Sequence, residues 1–160
     1  MISSLLEPRR QVAVPFRKWH RERLSTRGEI ARILEKVNVA MAGCRYADRE
    51  IFAVRLALEE AMVNAIKHGH QGNSDQRVLV KFCVVPEKVL LLVKDQGDGF
   101  DPADVPDPCD PENLTRPTGR GLLLMRSYMT WVRHNHRGNC VTMCKCRREG
   151  PAMPAPSAWS

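Results

Sequence analysis

The longest periodic stretch of the chain runs from about residue 49 to residue 69. Its apolar residues recur at helical spacing and gather on one side, namely Ile51, Val54, Leu58, Ala61, Met62 and Ala65. The other side carries Glu60, Asn64 and His68 at successive steps of four, with Lys67 beside them. The pattern predicts an amphipathic helix whose front bears a carboxylate, an amide, an amine and an imidazole. An ordinary solvated face has the same pattern, so this stretch by itself defines no function.

Shorter patterns predict two further elements before this helix. Residues 11–17 alternate between polar and apolar side chains, and their proline favours a strand at the edge of a sheet. A helix is expected to begin at a cap formed by Ser25 or Thr26 and to run to about Ala42. Asp48 is expected to cap the long helix that follows.

The second half of the chain predicts two hairpins with a helix between them. Residues 77–84 and 88–95 form one pair of predicted strands, and residues 131–136 and 139–146 form the other. The apolar run at 121–130 predicts a largely buried helix. Consecutive helices combined with hairpins favour an α+β fold, in which helices cover one face of a mostly antiparallel sheet.

Length and composition indicate one globular domain. A chain of 160 residues with 43% apolar and 27% charged residues suits a single core. We place this domain at residues 12–148 and expect disordered tails at 1–11 and 149–160. No apolar run approaches the roughly 18 residues of a membrane span. The first residues also lack the pattern of a signal peptide, so we expect a cytoplasmic protein without a membrane partner.

The segment from 96 to 118 differs from the rest of the chain. It is rich in proline, and from residue 95 to residue 110 an acidic residue falls at every third position. Such a segment has little to bury, so a packed element is not expected there. Loops of this length inside a compact domain are usually functional lids or disordered.

The formal net charge of +7 is concentrated at the two ends of the chain. A basic excess suits nucleic acid, an anionic ligand or an acidic protein partner. No recognition-helix pattern and no interleaved aromatic residues accompany it, so we expect no direct nucleic-acid partner.

Six cysteines raise the question of a metal site. Cys140, Cys144 and Cys146 share a parity, so on a strand they would face the same side, and His134 and His136 are near in sequence. Their spacing fits no standard zinc pattern. We therefore expect the cysteines to be reduced and to act as small buried apolar residues.

Two short glycine motifs carry possible chemistry. Asp95 ends a predicted strand, and Gly97 and Gly99 after it allow the backbone to turn sharply and approach a ligand closely. A carboxylate at that point can accept a hydrogen bond from an exocyclic amine. The sequence Gly119-Arg120-Gly121 opens a predicted helix, where free N–H groups and the helix dipole suit phosphate. Each motif is weak evidence when taken alone.

In this order and spacing, the long helix and the two glycine motifs resemble the Bergerat ATP-binding fold of the GHKL ATPases, the histidine-kinase-like ATPase superfamily. Within that superfamily the chain is most similar to the anti-sigma-factor serine/threonine protein kinases. The resemblance rests on the motifs Leu58–Gly69, Asp95–Pro102, Gly119–Met125 and Gly138–Met143. It covers residues 12–147 and implies a two-layer sandwich with a flexible ATP lid.

The resemblance implies a role for each motif residue. Glu60 would be the general base for the substrate hydroxyl, Asn64 would ligate Mg²⁺, and Asp95 would take the adenine amino group, backed by Thr142 through a water. The ATP-binding residues that it implies are Asn64, Lys67, His68, Asp95, Gly97, Gly99, Phe100, Gly119, Arg120, Gly121, Leu122 and Thr142. Such a set agrees with phosphoryl transfer, which depends on positioning and charge neutralisation.

The implied activity is phosphorylation of an anti-sigma-factor antagonist on Ser or Thr with Mg-ATP. In its other state the protein would sequester a sigma factor, and the resemblance implies a homodimer. Two other interpretations stay open. One is an ATP-binding, partner-switching module without phosphotransfer activity, and the other is a detached ATPase domain of the histidine-kinase type.

Overall fold

The computed structural model of the chain describes residues 19–69, 75–101 and 120–147. The elements, in chain order, are β1 (His20–Leu24), a 3₁₀ turn (Arg27–Glu29), α1 (Ile30–Gly43), α2 (Asp48–Gly69), β2 (Val78–Val84), β3 (Lys88–Lys94), α3 (Arg120–Tyr128), β4 (Trp131–His134) and β5 (Cys140–Cys146). The predicted strand at 11–17, both tails and nearly all of the predicted lid lie outside the described residues. No helix in the described ranges is long and apolar enough to cross a membrane.

The strands form one five-stranded sheet in the order β1-β2-β3-β5-β4. Every neighbouring pair is antiparallel. The two predicted hairpins are confirmed as β2–β3 and β4–β5, because each pairs strands that are adjacent in sequence. The α+β class with a mostly antiparallel sheet is therefore confirmed.

One face of the sheet packs against the helices. On β2 and β3 the alternate residues Val78, Val80, Phe82, Val89, Leu91 and Val93 are buried in the same core as the helices. On β5 the residues that belong to this core are Val141 and Met143. Because side chains alternate along a strand, Leu92 and Thr142 between them point to the opposite face. This assignment of faces decides which strand residues can reach a site beside the helices.

Helix α2 lies in the core through the apolar side that its sequence predicted. Val54, Leu58, Met62 and two alanines of that set are buried, whereas Ile51 is only half-buried. The alanines Ala57, Ala61 and Ala65 are at most 6% exposed, and small residues there let the helix lie close to its neighbours. The prediction of a helix with one apolar side is confirmed.

The helix starts agree with the sequence in one case and differ in the other. The Glu29 carboxylate accepts hydrogen bonds from the backbone N–H of Ser25 (2.7 Å) and of Thr26 (3.0 Å), as a capping box requires. Asp48, however, is the first residue of α2 rather than its cap. The N–H of Ala47 before it donates to Glu50 at 3.2 Å. The buried Glu50, third residue of the helix, thus accepts from the residue before the helix, as the glutamate of a capping box does.

The first strand, His20–Leu24, was missed because its sequence is almost wholly polar. Of its residues only Leu24 enters the core. The His20 ring stacks on Phe82 with the ring centroids 4.9 Å apart. Glu22 forms ion pairs with Arg32, at 3.1 Å, and with Lys36 on α1. These tertiary partners stabilise an edge strand that hydrophobic alternation does not reveal.

The cysteines agree only in part with their expected role. Cys83 and Cys144 are buried and Cys146 is exposed, whereas Cys109 lies outside the described residues. The sulfurs of Cys144 and Cys146 are 3.8 Å apart, which confirms that they share a face of β5. Burial raises the pKa of the Cys144 thiol to about 12, so this thiol is protonated at neutral pH. In the described parts of the chain no three His, Cys, Asp or Glu side chains are grouped as a metal site.

The ion pairs of Glu22 give a pH-dependent stability. The hydrogen bond from Lys36 is the main cause that lowers the pKa of the Glu22 carboxyl. The pairs therefore stabilise the fold above the carboxyl's unfolded pKa, and their contribution is lost as the pH falls through its folded pKa. We expect Glu22→Gln to lower the free energy of unfolding by ~0.5–1 kcal/mol at pH 7. In urea unfolding the two proteins should converge once the pH lies below the folded-state pKa of Glu22.

The matched control is Glu35→Gln, because Glu35 is an exposed residue of α1 with no ion pair among the described residues. It should leave the unfolding free energy unchanged within ~0.5 kcal/mol. An equal loss in both variants, or a loss for Glu22→Gln that persists at acid pH, would contradict the assignment.

Candidate functional site

The front of α2 is accessible along its second half. Glu60 and Asn64 are half-buried, and Lys67 and His68 in the last turn are exposed. Spacings of four residues place Glu60, Asn64 and His68 on one strip of the helix. The strip thus presents a carboxylate and an amide at its inner end and two basic groups at its outer end.

The end of α2 lies directly against the loop that follows β3. A Cβ atom on Gly69 would lie 2.5 Å from the Cβ of Asp95, and one on Gly97 would lie 3.0 Å from the Cα of Gly69. The N–H of Gly97 donates to Asp95 Oδ1 at 2.8 Å, which orients the carboxylate. The sequence identified Gly69 only as a helix end, whereas the structure requires glycine there so that Asp95 can approach the helix.

The start of α3 covers the inner end of the strip. A Cβ atom on Gly121 would lie 2.6 Å from Glu60 Oε2 and 3.2 Å from the amide nitrogen of Asn64. Arg120 is exposed at the first position of this helix, and Gly119 before it lies outside the described residues. The structure therefore brings Glu60, Asn64 and Gly121 together, although they come from two different helices.

The side chains of two predicted ATP-binding residues, Leu122 and Thr142, lie away from Asp95, Glu60 and Asn64. The Leu122 side chain is 8% exposed and belongs to the hydrophobic core, so it anchors α3. Thr142 pairs with Leu92 on β3 and with Arg133 on β4, on the face of the sheet away from the helices. Asp95 contacts the end of α2 on the other face. The structure therefore does not bring the Thr142 side chain to Asp95, and strand alternation is the reason.

The loop after Asp95 is seated on the turn between β4 and β5. Gly99 and Gly138 both have positive φ angles, of 84° and 74°. A Cβ atom on Gly99 would lie 1.7 Å from the carbonyl oxygen of Arg137, and one on Gly138 would lie 1.7 Å from that of Phe100. The two backbones are thus in direct contact, which only glycine permits. From the sequence, Gly138 is only part of the turn between the predicted strands at 131–136 and 139–146.

Side chains extend this contact on the outer side of the loop. The Phe100 ring meets His134 edge-on, with the ring centroids 5.5 Å apart. Burial lowers the pKa of His134, and the charge of Arg126 acts in the same direction. Phe100 is 39% exposed and its ring packs against β4, so its contact with a nucleotide stays a prediction.

Together these segments form a site suited to a nucleotide. An oriented carboxylate lies at the end of α2, and the first turn of α3, where backbone N–H groups favour phosphate, faces Glu60 and Asn64. One amide and one carboxylate are few ligands for a metal cage. They do suit Mg²⁺, which keeps several waters and is held by one or two protein ligands together with phosphates.

Comparison with known proteins agrees with this geometry. A model of the histidine kinase-like ATPase domain matches residues 22–145. The match includes all three helices and all five strands except the first two residues of β1 and the last residue of β5. The protein is therefore an ATP-using, kinase-like ATPase domain.

Two relatives indicate the group to which the chain belongs within this family. The serine-protein kinase RsbW of Bacillus subtilis is 31% identical over 107 residues, which are 62% of this chain and 67% of the relative. The serine-protein kinase RsbW of Staphylococcus aureus is 30% identical over 112 residues, which are 65% of this chain and 69% of the relative. The chain belongs to the histidine kinase-like ATPase family, in its group of anti-sigma-factor serine/threonine kinases.

The contact between the glycine loop (residues 95–100) and the β4–β5 turn should be sensitive to a single added methyl group. We expect Gly138→Ala to lower the free energy of unfolding by ~2–4 kcal/mol, because it forces both a positive φ and an overlap with the carbonyl of Phe100. Urea unfolding measures the loss.

The control is Gly43→Ala at the end of α1, where a Cβ atom meets nothing within 4 Å. That variant should be as stable as the wild type or up to ~1 kcal/mol more stable. A Gly138→Ala protein of wild-type stability would show that the backbone contact is not needed.

Proposed function

We propose that this chain is an ATP-dependent serine/threonine protein kinase that phosphorylates an anti-sigma-factor antagonist and, in its other state, sequesters a sigma factor. The observation that carries the proposal is the convergence of Glu60 and Asn64 on the first turn of α3 beside Gly121. The family supplies ATP as the phosphoryl donor. The relatives' name, serine-protein kinase, supports a hydroxyl acceptor.

Adenine binding is assigned to the Asp95 end of the site. The carboxylate would accept a hydrogen bond from the adenine amino group, and Gly97 supports it by holding Oδ1. Gly97 and Gly99 keep the loop close to α2 and to the hairpin turn. The adenine ring would then lie on the glycine loop with the phosphates directed towards α3.

Phosphate binding is assigned to the facing ends of α2 and α3. Gly119, Arg120 and Gly121 would surround the phosphates with N–H groups and one guanidinium. Lys67, exposed in the last turn of α2, would add positive charge, and the exposed imidazole of His68 beside it would donate a hydrogen bond to phosphate. Asn64 would be the protein ligand of Mg²⁺, which would supply positive charge to neutralise the phosphates.

Glu60 is assigned the role of general base. Its carboxylate would accept the proton of the substrate's Ser or Thr hydroxyl as that oxygen bonds to the γ-phosphorus and ADP leaves with the bridging oxygen. The half-buried position of Glu60 beside the backbone of Gly121 suits this role, because it places the carboxylate at the phosphate end of the site. Little else is required of the protein beyond positioning and charge neutralisation.

Replacing Glu60 separates catalysis from binding. We expect Glu60→Ala to slow transfer from [γ-³²P]ATP to the antagonist protein by at least ~100-fold. The affinity for Mg-ATP, measured by titration calorimetry, should change less than about twofold, because Glu60 acts on the acceptor hydroxyl. Asn64→Ala should instead weaken the binding of Mg-ATP itself. The antagonist is first recovered by co-purification with the chain.

Glu59→Ala is the matched control, because Glu59 is the neighbouring carboxylate but lies off the strip that carries Glu60 and Asn64. It should transfer phosphate like the wild type. A wild-type protein that binds Mg-ATP without transferring phosphate would contradict the kinase assignment and support a partner-switching module. Absence of any heat with Mg-ATP would contradict both.

A further inference from the structure

Asn139 is one of two polar or charged residues that are buried among the described residues. It lies in the turn between β4 and β5 and is 7% exposed. Its carbonyl oxygen accepts a hydrogen bond from the N–H of Asp95 at 3.0 Å. Its side-chain Nδ2 lies 3.4 Å from the carbonyl oxygen of Asp95 and 3.5 Å from that of Gly97. Asn139 thus contacts the backbone of the glycine loop through one main-chain hydrogen bond and two side-chain contacts.

A neighbouring amide fixes the orientation of this side chain. The N–H of Cys140 donates to Asn135 Oδ1 at 3.1 Å, and Asn135 Nδ2 donates to Asn139 Oδ1 at 2.8 Å. Because a backbone N–H can only donate, it sets the direction of the Asn135 amide, and this amide sets the direction of the next. The NH₂ group of Asn139 must therefore face the two loop carbonyls.

The position of the loop determines the position of the adenine-binding carboxylate. The loop cannot shift towards the hairpin, because the backbones already touch at Gly99 and Gly138. It cannot move away without breaking the contacts of Asn139 with Asp95 and Gly97. Removing the hydrogen-bond donor from a buried carbonyl costs more free energy than removing it from an exposed one. The side-chain amide of Asn139 therefore opposes such a displacement.

We infer that Asn139 is a positioning residue of the ATP site, which acts through Asp95 to set the preference for adenine over bases without the exocyclic amine. The inference rests on the adenine-binding role proposed for Asp95. Asn139 need not touch the nucleotide, because it contacts the backbone of the residue assigned to do so.

The test compares the affinities for ATP and for inosine triphosphate, which has an oxygen in place of the amino group. Both are measured by titration calorimetry on the full chain with Mg²⁺. The wild type should prefer ATP. Asn139→Ala should weaken ATP binding about five- to tenfold and inosine triphosphate binding much less, as expected for the loss of one oriented hydrogen-bonding group. Asn135→Ala should shift the preference in the same direction by a smaller factor, and it serves if Asn139→Ala folds poorly.

Two further variants separate the possible outcomes. His136→Ala, in the exposed part of the same turn, should keep the wild-type preference. Asp95→Asn should abolish the preference. If it does not, the proposed role of Asp95 fails, and the inference fails with it. If Asp95→Asn abolishes the preference while Asn139→Ala and Asn135→Ala retain it, only the inference is overturned. The inference is also overturned if Asn139→Ala weakens the binding of both nucleotides equally while urea unfolding shows that the variant is folded.

Discussion

The site depends on three close contacts at which the backbone of a glycine leaves no room for a side chain. At Gly69 the last turn of α2 meets Asp95, and at Gly99 and Gly138 the loop after Asp95 meets the β4–β5 turn. A methyl group at any of the three would overlap its neighbour, so these glycines are required by close approach. The result is that a loop, normally a mobile element, is held between a helix and a hairpin that both belong to the core.

Helix α2 combines two demands that usually compete. Its back contributes Leu58 and Met62, both fully buried, to the core, and its front keeps Glu60 and Asn64 within reach of α3. Polar groups can remain half-buried on this front because the neighbouring surface at Gly121 is backbone rather than an apolar side chain. The same packing that stabilises the fold therefore fixes the distance between the proposed base and the proposed phosphate-binding turn.

Much of the fold could be predicted from the sequence wherever a long or repeated pattern of apolar residues exists. Helix α2 and the two hairpins follow from periodicity and turn residues, and the fold class follows from their order. Strand β1 could not be predicted, because Glu22 is stabilised in it by cations ten or more residues away on α1. The role of Asn139 could not be predicted, because a polar residue in a turn follows no periodic pattern. The motif places Thr142 in the site, whereas the register of β5 turns its side chain to the opposite face of the sheet.

We propose that the front of α2, the Asp95 loop and the start of α3 form one ATP site. Amide hydrogen exchange with and without Mg-ATP tests this proposal. We expect slower exchange at residues 60–69, 95–101 and 120–124 together, with no change in β1 and α1. Nucleotide binding that leaves any of the three segments unprotected, or that protects a different part of the chain instead, would contradict it.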